Sequence, residues 1–99
     1  MWPAHEQFAL RNQIRRAVVS IAANIAEGQG RNGRKELTHH LGIALGSLCE
    51  VETMILVGQA QQYHGQVETD DALTLCGDVG RLIKGLQHSL RVEPAPDQI

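Results

Sequence analysis

Apolar residues return every three or four positions through most of this chain. In the first third, Leu10, Ile14, Val18, Ile21 and Ile25 fall at steps of four and three, the spacing that stacks side chains on one face of a helix turning about 100° per residue. That spacing predicts a helix from about His5 to Glu27, closed at Gly28 by glycine's access to the left-handed conformation. A polar strip of Gln13, Arg16, Ser20, Asn24 and Glu27 keeps the same steps, while Val19, Ala22, Ala23 and Ala26 make the far side apolar and small. A helix apolar on two sides needs two partners. One is its own core, and a neighbouring subunit is the partner expected at Val19, Ala22, Ala23 and Ala26.

Leu37, Leu41, Ala44, Leu48, Val51 and Ile55 form a heptad-like seam, which predicts a second helix from about Arg34 to Gln62 with Asn32 as its N-cap. Beside it runs a stripe of Gly42, Gly46, Cys49, Thr53 and Ala60. Small residues in line let another backbone come close, and such packing offsets the cost of about 1 kcal/mol per helical glycine; the stripe predicts a contact between helices. A third helix, capped by Thr69 or Asp70 with Asp71 in its first turn, is expected to run from residue 69 to about Arg91. Its inward residues are Ala72, Cys76, Val79, Ile83, Leu86 and Leu90. Residues 1–4 are a lead-in with Pro3 at a helix start, and the tail 92–99 contains Pro94 and Pro96, which cannot continue a helix. Nothing alternates with period two. The expected fold is all-α, an antiparallel up-and-down helical bundle in one domain over residues 1–99, with short loops joining antiparallel neighbours.

Composition sharpens this picture in two ways. With 99 residues, 42% hydrophobic and 3% aromatic, the core must be built from Leu, Ile, Val and Ala, and so small a domain is inclined to gain stability by self-association. The formal net charge of −2 hides an asymmetry, because residues 1–35 hold six basic against two acidic side chains and the rest hold three against nine. A bipolar chain of this kind can present one basic surface or simply solvate its helix faces. Cys49 and Cys76 lie within helical patterns, as small buried thiols of a reducing compartment do. The first residues lack a basic-then-apolar signal layout, and no apolar run is expected to approach the roughly 20 residues needed to span a bilayer, so a cytoplasmic location is expected.

Candidate chemistry is sparse. Glu52 falls within the apolar arc of the second helix, where an unpaired carboxylate would cost several kcal/mol. Its expected partners lie on the first helix, in a buried polar network of Arg16, Ser20, Asn24 and Glu52. Gly28, Gly30 and Gly33 spell Gly-x-Gly-x-x-Gly, yet they follow a helix rather than a strand, which favours a helix end and turn over a phosphate cradle. Glu36-Leu-Thr-His39 matches one Glu-x-x-His element of di-iron bundles, which need two such elements and two further carboxylates; the adjacent His39-His40 suits a solvated helix start. No catalytic spacing of Ser or Cys with His and Asp is evident, so no catalytic residue, metal or cofactor is expected. Arg11, Arg15, Arg31, Arg34 and Lys35 are candidate phosphate contacts. Without interleaved aromatic residues, any such binding would follow the nucleic-acid backbone and weaken with salt.

Several stretches together resemble a known bacterial family. Glu6-Gln7-Phe8-Ala9-Leu10, Gln13-Ile14-Arg15-Arg16-Ala17, Ser20-Ile21, Asn24-Ile25-Ala26-Glu27-Gly28 and the run from Ile43 to Thr53 are similar to the four helix bundle proteins first noticed in intervening sequences of 23S ribosomal RNA genes. The resemblance covers roughly residues 2–91. It implies an antiparallel bundle assembled as a ring-like homopentamer, and kinship with accessory proteins of diversity-generating retroelements, similar bundles that bind nucleic acid and a reverse transcriptase. It carries over no catalytic residues. Family members usually have another helix before the Trp2-Pro3 region, so three of the four helices are expected here. The resulting expectation is a non-enzymatic, self-assembling bundle that contacts RNA or DNA through basic residues of the first helix and loop. A scaffold or protein-binding module without nucleic acid is the alternative, and a metal-dependent enzyme the more remote one.

Overall fold

In the computed structural model, which describes residues 4–30 and 33–91, three helices follow one another. They are α1 (Ala4–Gly30), α2 (Arg34–Ala60) and α3 (Gln66–Arg91). No strand occurs among the described residues, and the fold is all-α. α2 is the central helix, with α1 packed on one side and α3 on the other, while the backbones of α1 and α3 do not approach each other. Leu10 lies by Gly58, and Gly28 lies by Leu37 and His40, so α1 and α2 are antiparallel. At the far end the Arg34 guanidinium donates to the Leu90 carbonyl at 3.0 Å, and His64 just after α2 meets Thr69 at the start of α3. α3 is therefore antiparallel to α2, and α1 and α3 run the same way.

The core sits along α2. Leu41 and Ala44 are fully buried, and Leu48, Val51 and Ile55 nearly so, joined by Ala17 from α1 and Cys76 and Ile83 from α3. This is the expected seam, and each Leu or Ile removed from water there contributes about 1.5–3 kcal/mol. Which neighbour covers which part follows from rotation about the axis. Ser47 faces α1, and Glu52, about 140° further round a helix turning 100° per residue, lies beside Cys76 and Gly80 of α3.

Helix ends differ from the sequence expectation for identifiable reasons. α1 continues past Gly28 to Gly30. Gly28 is buried inside the helix, where a Cβ would stand 2.9 Å from His40 Cβ and 3.3 Å from Leu37 Cα; its missing side chain serves close helix approach rather than termination. The left-handed glycine is Gly33 (φ 121°), at the N-cap of α2, with no side-chain cap bond. Asn32, Arg31, the lead-in residues 1–3 and the tail 92–99 lie outside the described residues. α2 ends at Ala60, where Gln62 N–H donates to Gln59 carbonyl and Tyr63 N–H to Gly58 carbonyl, both at 2.9 Å, with Gln62 at φ 63°. This pair of bonds is a Schellman closure.

α3 starts at Gln66, three residues earlier than expected. Glu68 Oε1 accepts from the Gly65 N–H at 3.2 Å, half of a capping box. Thr69 lies within the first turn and its hydroxyl donates to the Gly65 carbonyl at 2.8 Å. The expected packing of the Gly42–Gly46 stripe does not occur within the chain, since both glycines are exposed and a Cβ on either would meet nothing within 4 Å. The residues of the stripe are exposed, and Gly46, Cys49 and Thr53 only border the grooves beside α1 and α3. Contrary to the expectation that no apolar run approaches a bilayer's thickness, α2 is long and apolar enough to cross a membrane by length and composition. Glu50 and Glu52 fall mid-helix, where each charge would cost about 2.5–3.5 kcal/mol in a bilayer, and a core helix passes the same test.

Candidate functional site

A polar seam joins α1 to α2 above the core. Ser20 Oγ lies 3.1 Å from Ser47 Oγ, and the Asn24 amide nitrogen donates to the Ser20 carbonyl at 2.9 Å and to Ser20 Oγ at 3.3 Å. With that nitrogen committed to Ser20, Asn24 Oδ1 is left as the acceptor for His40 Nδ1 at 3.0 Å, which places the imidazole proton on Nδ1. Ser47 is buried, and Ser20, Asn24 and His40 are half-buried. The chain of bonds satisfies side chains that would otherwise be desolvated without partners.

Two members of the expected network are therefore present and two are not. Ser20 and Asn24 bond to Ser47 and His40, whereas Arg16 is exposed on the rim of a groove it lines with Gln13, Ser47 and Glu50. Glu52 is half-buried on the α3 side, in a groove with Cys49, Gly77, Arg81 and Lys84. Its periodicity marked it as part of the apolar arc; the arc, however, is divided between two neighbours, and Glu52 belongs to the one away from α1. Ser47 was legible as a polar residue between Ala44, Leu48 and Val51, and His40 as one turn before Ala44.

The candidate phosphate contacts do not form one patch. Arg11 and Arg15 are exposed near the start of α1, and Arg34 and Lys35 are exposed at the start of α2, beside the other end of α1. About 19 residues separate Arg11 from Gly30, or about 28 Å at 1.5 Å per residue. Arg34 is in addition tied to the Leu90 carbonyl, where a cation complements the C-terminal end of α3. Arg31 lies outside the described residues. Val19, Ala22, Ala23 and Ala26, the expected subunit contacts, are all exposed on α1.

Among the remaining candidates, Gly28 and Gly30 are helical and Gly33 precedes α2, so the glycine triplet joins helix to helix. Glu36 and His39 are exposed, and no group of three or more metal-ligand side chains occurs among the described residues. Cys49 is exposed and Cys76 buried. Burial pushes the Cys76 thiol up from its ordinary value, with the Glu52 carboxylate adding to the effect; it stays a thiol at neutral pH. Burial also raises the Tyr63 phenol, helped by Glu6.

The stretch holding the polar seam and its tight crossing at Gly28 is matched by the sequence model of the 23S rRNA-intervening sequence proteins, over residues 1–85. The chain belongs to that family. No curated protein and no solved structure matches it. For a 23S rRNA-intervening sequence protein, the matched span takes in all of α1 and α2 and most of α3. It includes Ser20, Asn24, His40 and Ser47, so the seam lies wholly within what the family model describes.

Proposed function

We propose that this protein is a non-enzymatic helical module that assembles with copies of itself, in the ring-like pentamer its family resemblance implies. The supporting observation is the apolar surface left outside the core. Phe8 is 59% exposed, Val19 65%, Leu75 64% and Leu82 70%, spread over α1 and α3. Large apolar side chains grouped on helix faces mark surfaces that other proteins cover. A small domain gains from covering them what its own core cannot supply. Light scattering after size exclusion on the intact chain tests the reading: mass at a multiple of the protomer is expected, and a protomer mass at every concentration would refute it.

Contact with RNA or DNA belongs to the same reading, through Arg11 and Arg15, which have no ion pair among the described residues, and a ring would repeat them around its circumference. Binding through them is expected to weaken by about a thousandfold between 50 and 200 mM salt if roughly half a dozen phosphates are engaged across the ring. Arg11→Ala with Arg15→Ala is expected to reduce that salt slope. A scaffold without nucleic acid is favoured instead by the splitting of the basic residues between two ends and by the Arg34–Leu90 tie. Absence of RNA and DNA binding at low salt by an assembled sample would select it.

A further inference from the structure

Two seams carry exposed apolar side chains that the core leaves uncovered, although Ile25, Ala72 and Val79 along them also pack against its edge. On α1, Arg11, Arg15, Val18, Ala22 and Ile25 step by four, three, four and three residues. On α3, Glu68, Ala72, Leu75, Val79 and Leu82 step by the same four, three, four and three, and Leu86 extends them. Spacing of this kind places a continuous ridge along each helix, as in paired coils. Val18 is 48% exposed, Leu75 64%, Leu82 70% and Leu86 42%.

Both ridges border one side of the array. Val18 lies about 160° round α1 from Ser20, and Leu75 about 160° round α3 from Gly77. Ser20 and Gly77 flank the grooves on the other side. The ridges also share a polarity of charge. The α1 ridge is basic at its start and apolar beyond Arg15, and the α3 ridge is acidic at its start, with Glu68 and Asp71, and apolar beyond Ala72. α1 and α3 of one copy run the same way but are separated by α2, so a single copy does not close the match on itself.

Resting on the self-assembly reading, we propose that the α1 ridge of one copy packs along the α3 ridge of a second copy, the two helices parallel. In that register Val18 meets Leu75, Ile25 meets Leu82, and Arg11 and Arg15 face Glu68 and Asp71, which withdraws both arginines from nucleic-acid contact and favours the scaffold reading. An antiparallel partner would instead set the two arginines beside Leu82 and Leu86, with no acid to meet them. The contact joins two different surfaces, the heterologous kind that generates rings when its rotation closes.

The test measures mass against concentration for the full chain, with helical content followed by circular dichroism. Leu75→Glu with Leu82→Glu changes exposed positions, so helicity is expected to hold while the dissociation constant of assembly rises by at least about tenfold. Arg11→Glu with Arg15→Glu is expected to weaken assembly likewise. Adding Asp71→Arg to that same chain, which leaves the Glu68 cap of α3 in place, is expected to restore it in part. A wild type that assembles while the leucine and arginine variants keep their mass would overturn the ridge pairing and leave self-assembly standing. Charge reversal that splits the assembly without rescue by the second reversal would overturn the register. A wild type that is a lone protomer at all concentrations would remove both the contact and the reading beneath it.

Discussion

An alanine methyl at Gly28 would press on His40 Cβ at 2.9 Å and on the Leu37 backbone at 3.3 Å, so Gly28→Ala forces α1 and α2 apart. Overpacking of this kind costs about 1–3 kcal/mol, more than the gain of up to about 1 kcal/mol from replacing a helical glycine. A melting temperature lower by roughly 5 °C is expected for a domain of this size. Gly46→Ala, with nothing within 4 Å of the new methyl, is the control and is expected to melt slightly higher. The thiols give a second residue-scale contrast. A thiol reagent is expected to modify exposed Cys49 quickly and Cys76 slowly. Because burial raises the Cys76 value in the folded state, its stabilising contribution is complete below the ordinary thiol value of 9.0 and is lost as pH rises through the raised one. Cys76→Ala is expected to flatten that alkaline decline in a pH series of thermal melts. Glu52 shows where sequence reading stops: periodicity fixes a residue's angle on its own helix and leaves open which neighbour meets it.

Among elements, the end of α2 carries a removable cost. Gln62 holds φ 63° to complete the Schellman bonds, a conformation that costs an ordinary residue about 1 kcal/mol and glycine little. Gln62→Gly is expected to raise unfolding free energy by about 0.5–1 kcal/mol in a urea titration. That closure was hidden from the sequence because the usual glycine signal is missing, just as Gly28 gave a false stop because close approach and helix termination both select glycine. The helices themselves were legible. The seam from Leu37 to Ile55 and the steps of α3 from Ala72 to Leu90 leave little choice of period, and α2 was found within two residues at its C-terminal end. The start of α3 was missed because Thr69 and Asp70 resemble caps, while Gly65 with Glu68 supplies the cap that forms.

For the molecule as a whole, two helices packed on one central partner leave apolar side chains on several faces, and the all-α class followed from the sequence where the arrangement around α2 did not. Under the self-assembly proposal, copies covering those faces would tie stability to mass action, and the melting temperature is expected to climb with protein concentration. A melting temperature independent of concentration over two decades would argue against assembly as a source of stability.

The central position of α2 also bears on synthesis. Each of its two interfaces forms with a neighbour in sequence, which keeps contacts local and folding fast. A helical hairpin of α1 and α2 can close before α3 exists. At about 5–20 residues per second, the roughly 30 residues from Gln61 to Arg91 take about 2–6 s to emerge. Through that interval the flank of α2 that holds Leu45 and Glu52 waits uncovered on the nascent chain, the period in which a ribosome-associated chaperone has the most to protect.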